Sequence, residues 1–376
     1  MKMGILTEIL DRTKEKAGVA YYTEYLIHHL LKLKGDNTVY LVHYKKDNNP
    51  IYQKTEEIRV PSPSLPTPFR EIFSTFLRLS TVLKREKIDL LHIPSPTLLD
   101  SLPCFLSGFK KVLTVHDLFL FTPQYKIKSP YPHFKWWLSQ RLRAPLYFLI
   151  RNKVDRFIAV SENTKKDLIK YLRIPEDKIK VIHLAPNKRF KLVDAEIPDF
   201  IGSPFILTHL ISSKLLEVFY KLKKKGIRNK LVIFGGIPKI DKDRVVKLIK
   251  DFNLEKEVIL TGYLPQEEIV RLYNTADLFV RMVGYEGFGL PPLEAMSCGC
   301  PVVASNVASL PEVVGKAGIL INPNNLEEWV EKIYYILTHE DFRQNIIKKG
   351  LEQAKKFSWE KTAQETIKTY KEALDQ

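Results

Sequence analysis

An alternation that runs twice constrains this chain more than any other feature. Short apolar, β-branched stretches recur through the first half at Thr38–Tyr44, Lys87–Ile93, Lys111–Val115, Arg156–Val160 and Ile179–His183. Helical stretches such as Tyr22–Lys34 lie between them. Short apolar strands separated by helices imply βαβ units and a parallel sheet covered on both faces. The stretch Lys188–Ser203 mixes charge and proline with no period, and reads as a linker. Beyond it the alternation restarts. Strands are expected at Phe205–Leu210, Lys230–Phe234, Glu257–Leu260, Leu278–Val280, Pro301–Ala304 and Gly318–Ile321. Helices are expected at Leu215–Lys225, Lys242–Phe252, Gln266–Thr275, Pro291–Ser297 and Leu326–Leu337. A closing helix, Trp359–Ala373, takes Ser358 as its N-cap. The expected fold class is α/β: two doubly wound domains facing a central cleft, each offering it the carboxyl ends of its strands.

A length of 376 residues suits two such domains. The net charge of +16 is unevenly spread, with +13 in residues 1–200 and +3 in the rest. Residues 101–150 hold seven basic residues, one acid (Asp117) and eleven aromatics, among them Phe119, Phe121, Tyr131, Trp136 and Trp137. A basic, aromatic half points to an anionic partner: a lipid surface, a phosphate-bearing acceptor or nucleic acid. No nucleic-acid motif accompanies the charge, so that partner ranks last. Three cysteines, Cys104, Cys298 and Cys300, are too few and too oddly spaced for a disulfide scaffold or a zinc site, and imply a reducing compartment. Glu8 comes too early for a signal peptide, and no run of about 18 apolar residues spans a bilayer. A cytoplasmic protein is expected, peripheral to the membrane if the basic half meets lipid.

The strongest constellation is Tyr285-Glu286-Gly287-Phe288-Gly289-Leu290-Pro291-Pro292-Leu293-Glu294-Ala295-Met296. Gly287 and Gly289 permit a tight turn close to a ligand. Pro291 suits a first helical position, so a helix starts just after Leu290. Its N-terminus, with the amides of Gly289 and Leu290, makes an anion site. Glu286 sits before the helix and Glu294 in its first turn. A carboxylate beside a phosphate is costly unless it accepts from hydroxyls, so sugar and ribose hydroxyls are its natural partners. Taken singly, Glu294 also reads as a helix-dipole acid and Glu286 as a surface acid.

This segment, continued through Ala304 to Val313, resembles the donor-binding signature of glycosyltransferase family 4, retaining enzymes of GT-B fold that include mannosyltransferases and rhamnosyltransferases. Thr261-Gly262-Tyr263-Leu264-Pro265 and the tail Phe357-Ser358-Trp359-Glu360-Lys361-Thr362 are also similar to the family pattern. The resemblance implies an N-terminal acceptor-binding domain over 1–190, completed by a crossing helix at 358–376. It implies a linker at 191–203 and a donor-binding domain at 204–357. Glu286 would hold sugar hydroxyls, Glu294 the ribose, and the Phe288–Leu290 amides the diphosphate. Gly18, before a helix, resembles the family's phosphate-contacting glycine loop. His116, in Thr114-Val115-His116-Asp117, resembles its reaction-centre histidine. Val160–Leu168 matches as a structural helix start.

The chain departs from the family after the first strand of the second domain. A glycine and an Arg/Lys pair are usual there, whereas Thr208-His209-Leu210-Ile211-Ser212-Ser213-Lys214 is short and has neither glycine nor arginine. Lys214 and Arg281 are the two candidate replacements, since a departing diphosphate needs cationic or dipolar stabilisation. Asp241-Lys242-Asp243 is a D-x-D string, read here as acids at a helix N-terminus rather than metal ligands. The expected activity is a metal-independent, retaining transfer from a GDP- or UDP-linked sugar to a glycan or lipid-linked acceptor. The alternative is a non-catalytic sugar-nucleotide-binding scaffold of the same fold.

Overall fold

The computed structural model describes residues 1–376 except 13–17, 34, 45–49, 62–71, 73, 96, 98–99, 123–144, 210, 237–238 and 376. Tyr131, Trp136 and Trp137 therefore lie outside the described residues. The chain forms two compact units, one of Met1–Leu184 with Trp359–Gln376 and the other of Ala185–Ser358.

The first unit is built on seven parallel strands: β1 (Lys2–Leu6), β2 (Thr38–His43), β3 (Glu56–Arg59), β4 (Leu90–Ile93), β5 (Lys110–Val115), β6 (Arg156–Ala159) and β7 (Ile179–Val181). Their order is β3-β2-β1-β4-β5-β6-β7. Every residue of β4 and β6 is buried, as apolar strands covered on both faces require. Two strands do not appear in the sequence reading. β1 lies inside the sheet between β2 and β4, and β3 carries the acids Glu56 and Glu57 that mark an exposed edge. Helix Val19–Leu33 buries Tyr22, Leu26, Ile27 and Leu30 along one face. Helix Trp359–Leu374 buries a stripe running from Trp359 through Ala363 and Thr366 to Tyr370 and Ala373. It returns to the first unit, where Trp359 stacks on Tyr25 at 5.5 Å and Thr362 donates to the His183 carbonyl at 2.7 Å.

The second unit has six parallel strands: β8 (Phe205–Thr208), β9 (Lys230–Phe234), β10 (Val258–Gly262), β11 (Leu278–Arg281), β12 (Val302–Ser305) and β13 (Ile319–Ile321). They run in the order β10-β9-β8-β11-β12-β13. Residues 191–203 form no helix or strand and are held on this unit by side chains. The Val193 amide donates to Asn274, Asn274 donates to the Lys191 carbonyl, and Arg271 donates to the Glu196 carbonyl. The helix Glu340–Ala354 is a further addition to the sequence reading. Its buried face includes Gly350 and Ala354, too small to register as an apolar stripe. A Cβ on Gly350 would stand 3.2 Å from Met296 Cγ, so the glycine lets this helix close on Leu290–Ser297. The D-x-D string lies inside the helix Lys239–Asp251, at its N-terminal end.

In both sheets the strand order reverses direction once, between β1 and β4 and between β8 and β11. Such switch points open a crevice at the carboxyl ends of the strands.

Candidate functional site

At the switch point of the second unit, Arg281 ends β11. His209 follows the end of β8, in register beside it, since Phe279 pairs with Leu207. Arg281 is only 6% exposed. Its Nε and Nη2 donate to Glu286 Oε2 at 2.8 and 2.5 Å, and Nη1 lies 3.4 Å from His209 Nδ1. Burial, and then the Arg281 charge, push the His209 imidazole down to about 4, so it stays neutral near pH 7. Arg281 and Glu286 thus stand together, but the guanidinium is engaged by the carboxylate rather than presented as an uncompensated cation. Both of its bonds land on one oxygen, leaving Oε1 outside the pair.

The loop that carries Glu286 is latched from the next strand. Ser305 accepts from the Val283 amide at 3.0 Å. Ser309 Oγ lies 2.8 Å from the Glu286 carbonyl and 2.7 Å from the Phe288 carbonyl, so its one proton serves both. Phe288 is buried against Phe357. Gly287 continues the loop. Gly289 has φ +108°, and a Cβ there would meet Leu310 at 3.0 Å, so the glycine is required on both counts. Helix Leu290–Ser297 starts at this turn. Pro291 and Pro292 carry no N–H, so only the amides of Gly289 and Leu290 point out of the helix start.

Glu294 is the fifth residue of that helix and not in its first turn as expected, because the helix begins one residue earlier, at Leu290. This removes the dipole-acid explanation. Although its surface is partly accessible, its carboxyl is desolvated enough to be pushed up to about 7, an effect the Tyr273 hydroxyl opposes from 3.4 Å. Tyr273 itself is buried among Phe190, Phe234 and Phe279. Lys214 occupies the second position of helix Ser213–Lys224, whose N-cap Ser212 accepts from the Leu215 amide. Lys214 is exposed, and its Nζ donates to the neutral amide of Asn324 at 2.5 Å.

The first unit has its own cavity, about 240 Å³, at the ends of β4 and β5. Ile9, Val19, Ser95, Thr97, His116 and Asp117 are among the residues that line it. Gly18, at φ +48°, stands next to Val19; among the described residues nothing lies within 4 Å of where a Cβ would be, and its carbonyl accepts from the Tyr22 amide. His116 Nε2 lies 2.9 Å from the Pro94 carbonyl. Burial lowers its pKa against the opposing pull of that carbonyl and of Asp117, so the imidazole is neutral; its Nε2–H donates to the carbonyl, which makes Nδ1 the hydrogen-bond acceptor. Ser161 caps helix Glu162–Leu172 through the Thr164 amide, as the motif there implied.

Sequence reasoning passed over His209, Tyr273, Ser305 and Ser309. The spacing Ser309-Leu310-Pro311, a polar residue two before a helix proline, was the one local signal available for any of them.

Comparison with known proteins follows the same division. A family model described as glycosyl transferases group 1 matches residues 212–353, and one described as Glycosyltransferase Family 4 matches residues 17–185. The O-antigen chain mannosyltransferase B of Escherichia coli is 31% identical over 278 residues, 70% of this chain and 70% of that protein. A glycosyltransferase structure from Rickettsia africae matches with a TM-score of 0.73 at 21% identity, over 99% of this chain and 98% of that one. Anabaena HepE in complex with UDP-glucose matches with a TM-score of 0.72 at 18% identity, over 99% and 100% of the two chains. These likenesses give the fold, which is the GT-B fold expected from the sequence.

Proposed function

This chain belongs to glycosyltransferase family 4, and on that footing we propose that it moves a mannose-type sugar, with retention, from a nucleotide-sugar donor to a glycan or lipid-linked acceptor. The observation that carries the reading is the pairing of two carboxyls around one helix start: Glu286 before the Gly289 turn and Glu294 beyond it. In this reading Glu286 accepts from hydroxyls of the sugar and Glu294 from the ribose. The transition state places positive charge on the sugar and negative charge on the leaving diphosphate. Within the second unit, the Gly289 and Leu290 amides and Lys214 meet that negative charge. Of the two candidate cations Lys214 is favoured, since Arg281 already serves Glu286. No metal is needed in this scheme. The His116 cavity receives the acceptor.

Mannose is supported by the E. coli relative's name, while HepE's complex with UDP-glucose keeps a UDP-linked donor beside a GDP-linked one. A lipid-linked acceptor fits the surface of the first unit. Phe148 and Leu149 are 42% and 61% exposed there, and Arg151 lies over the Phe148 ring. An anionic, inner-face membrane surface is the partner such a patch suits.

The Arg281–Glu286 pair also supports a second reading, a binding protein that retains the donor site without turnover. A panel of GDP- and UDP-linked sugars, assayed by thermal shift and then by transfer, decides. A true donor at 100 times its dissociation constant adds about 2.7 kcal/mol of stability. Stabilisation with neither transfer nor hydrolysis favours the binding protein, and no stabilisation by any donor removes both readings.

A further inference from the structure

Behind the His116 cavity runs a chain of buried polar groups that no step above uses. Tyr370, near the end of helix Trp359–Leu374, places its hydroxyl 2.6 Å from His92 Nδ1. His92 Nε2 lies 2.8 Å from Thr114 Oγ1, and Thr114 Oγ1 lies 2.9 Å from the Tyr22 hydroxyl. The ring of Tyr22 meets the His116 imidazole edge-on, with centroids 4.8 Å apart and planes at 80°. Four elements therefore meet in one continuous line: the C-terminal helix, β4, β5 and helix Val19–Leu33.

Strand periodicity explains why the line ends at the cavity. His92 and Pro94 are alternate residues of the β4 run, and Thr114 and His116 are alternate residues of the β5 run. Alternate residues share a face. The two strands thus touch twice, through the side chains of His92 and Thr114 on that face and through the Pro94 backbone carbonyl with the His116 side chain. Fixing the first contact fixes the lateral position of the second.

The line also has a direction. Either Tyr370 donates to Nδ1 and Nε2–H donates to Thr114, or Thr114 donates to Nε2 and Nδ1–H donates to Tyr370. The imidazole is neutral, because burial holds it at about 3, so it carries one proton and offers one acceptor. All four polar groups are fully or almost fully buried, and a broken link leaves its partners with no water to turn to.

We propose that Tyr370, His92, Thr114 and Tyr22 are positioning residues for His116, so that the C-terminal helix sets the geometry of the cavity in the first unit. The role of His116 in transfer rests on the function proposed above, but its positioning does not. The groups that face His116 are Tyr22, His92 and Asp117.

The test reads imidazole resonances of the full chain by NMR, without donor. In Tyr370→Phe and Thr114→Val, the ratio of the two His92 tautomers should change, since one ring nitrogen loses its partner. The His116 midpoint should climb from its lowered position toward the ordinary histidine value. Ala373→Gly loosens the same helix without touching the line, and should leave both signals in place. In the transfer assay the two variants should lose about tenfold in kcat, with donor KM held within about twofold. Should Tyr370→Phe fail to fold, Thr114→Val carries the same test at the other end. Wild-type His116 resonances and midpoint in a folded variant that has lost its link would overturn the proposal. Because the ring signals need no donor, a chain that transfers nothing would count against the transferase reading and leave this one standing.

Discussion

Burial lifts the Glu294 carboxyl from an ordinary 4.5 to about 7, and the sign of the consequence follows from proton counting. Between those values the folded state binds a proton that the unfolded chain does not. Stability must therefore fall as pH rises from about 4.5 through about 7. Glu294→Gln should remove that slope. Its advantage over wild type should grow by roughly 1–3 kcal/mol between pH 5 and pH 8, read from urea melts at each pH. Parallel curves would mean the carboxyl is already solvated. The Arg281–Glu286 pair predicts an asymmetry. Glu286→Ala leaves a guanidinium only 6% exposed without its counter-charge, and should cost about 3–5 kcal/mol. Arg281→Met leaves a carboxylate with 18% of its side chain exposed, which water can reach, and should cost visibly less. Equal losses in a double-mutant cycle would refute that ordering. At this scale the sequence was readable where a residue type is itself a conformation. Gly289 and Pro291 announce a turn and a helix start whatever surrounds them. It was silent about the partner of Arg281, which was fixed only once β11 and the next loop folded back on one another, and about His92, whose partner Tyr370 is 278 positions away.

The loop between β11 and helix Leu290–Ser297 is held by Ser305, at the end of β12, and by Ser309, at the start of the helix that follows, rather than by its own sequence. Ser309→Ala removes a hydroxyl that serves two carbonyls, and should cost about 1–2 kcal/mol of unfolding free energy in a denaturant melt. It should also weaken nucleotide-sugar binding, since Glu286 rides on the released loop. Unchanged donor affinity in a destabilised variant would separate the latch from the site. Most strands and most helices were legible because apolar runs of strand length, spaced by helical ones, admit few arrangements. β3 was not, because an edge strand carrying Glu56 and Glu57 looks like a loop. Helix Glu340–Ala354 was not, because Gly350 and Ala354 pack by being small, which no scale of hydrophobicity records.

Across the whole molecule the charge is the feature most plainly inherited from the sequence: +13 of the +16 lies in residues 1–200. Phe119, Phe148 and Leu149 add exposed apolar surface to the same unit. Salt-sensitive binding to vesicles containing phosphatidylserine is expected, each cation near the surface adding about 1 kcal/mol. Sedimentation at low and high salt checks it, and equal partitioning onto neutral vesicles would dismiss the anionic surface as a partner. Among the described residues no helix is long and apolar enough to cross a membrane. The return of Trp359–Gln376 to the first unit has one more consequence, in time rather than in space. A ribosome delivers β1 to β7, then all of Ala185–Ser358, and only then the helix that covers Tyr22 and reaches His92. At roughly 5–20 residues per second the nascent first unit waits roughly 10–35 s with that flank bare. The first unit, whose strands emerge before those of the second, is thus completed after it, and a chaperone that shields apolar flanks on nascent chains would find its opening there.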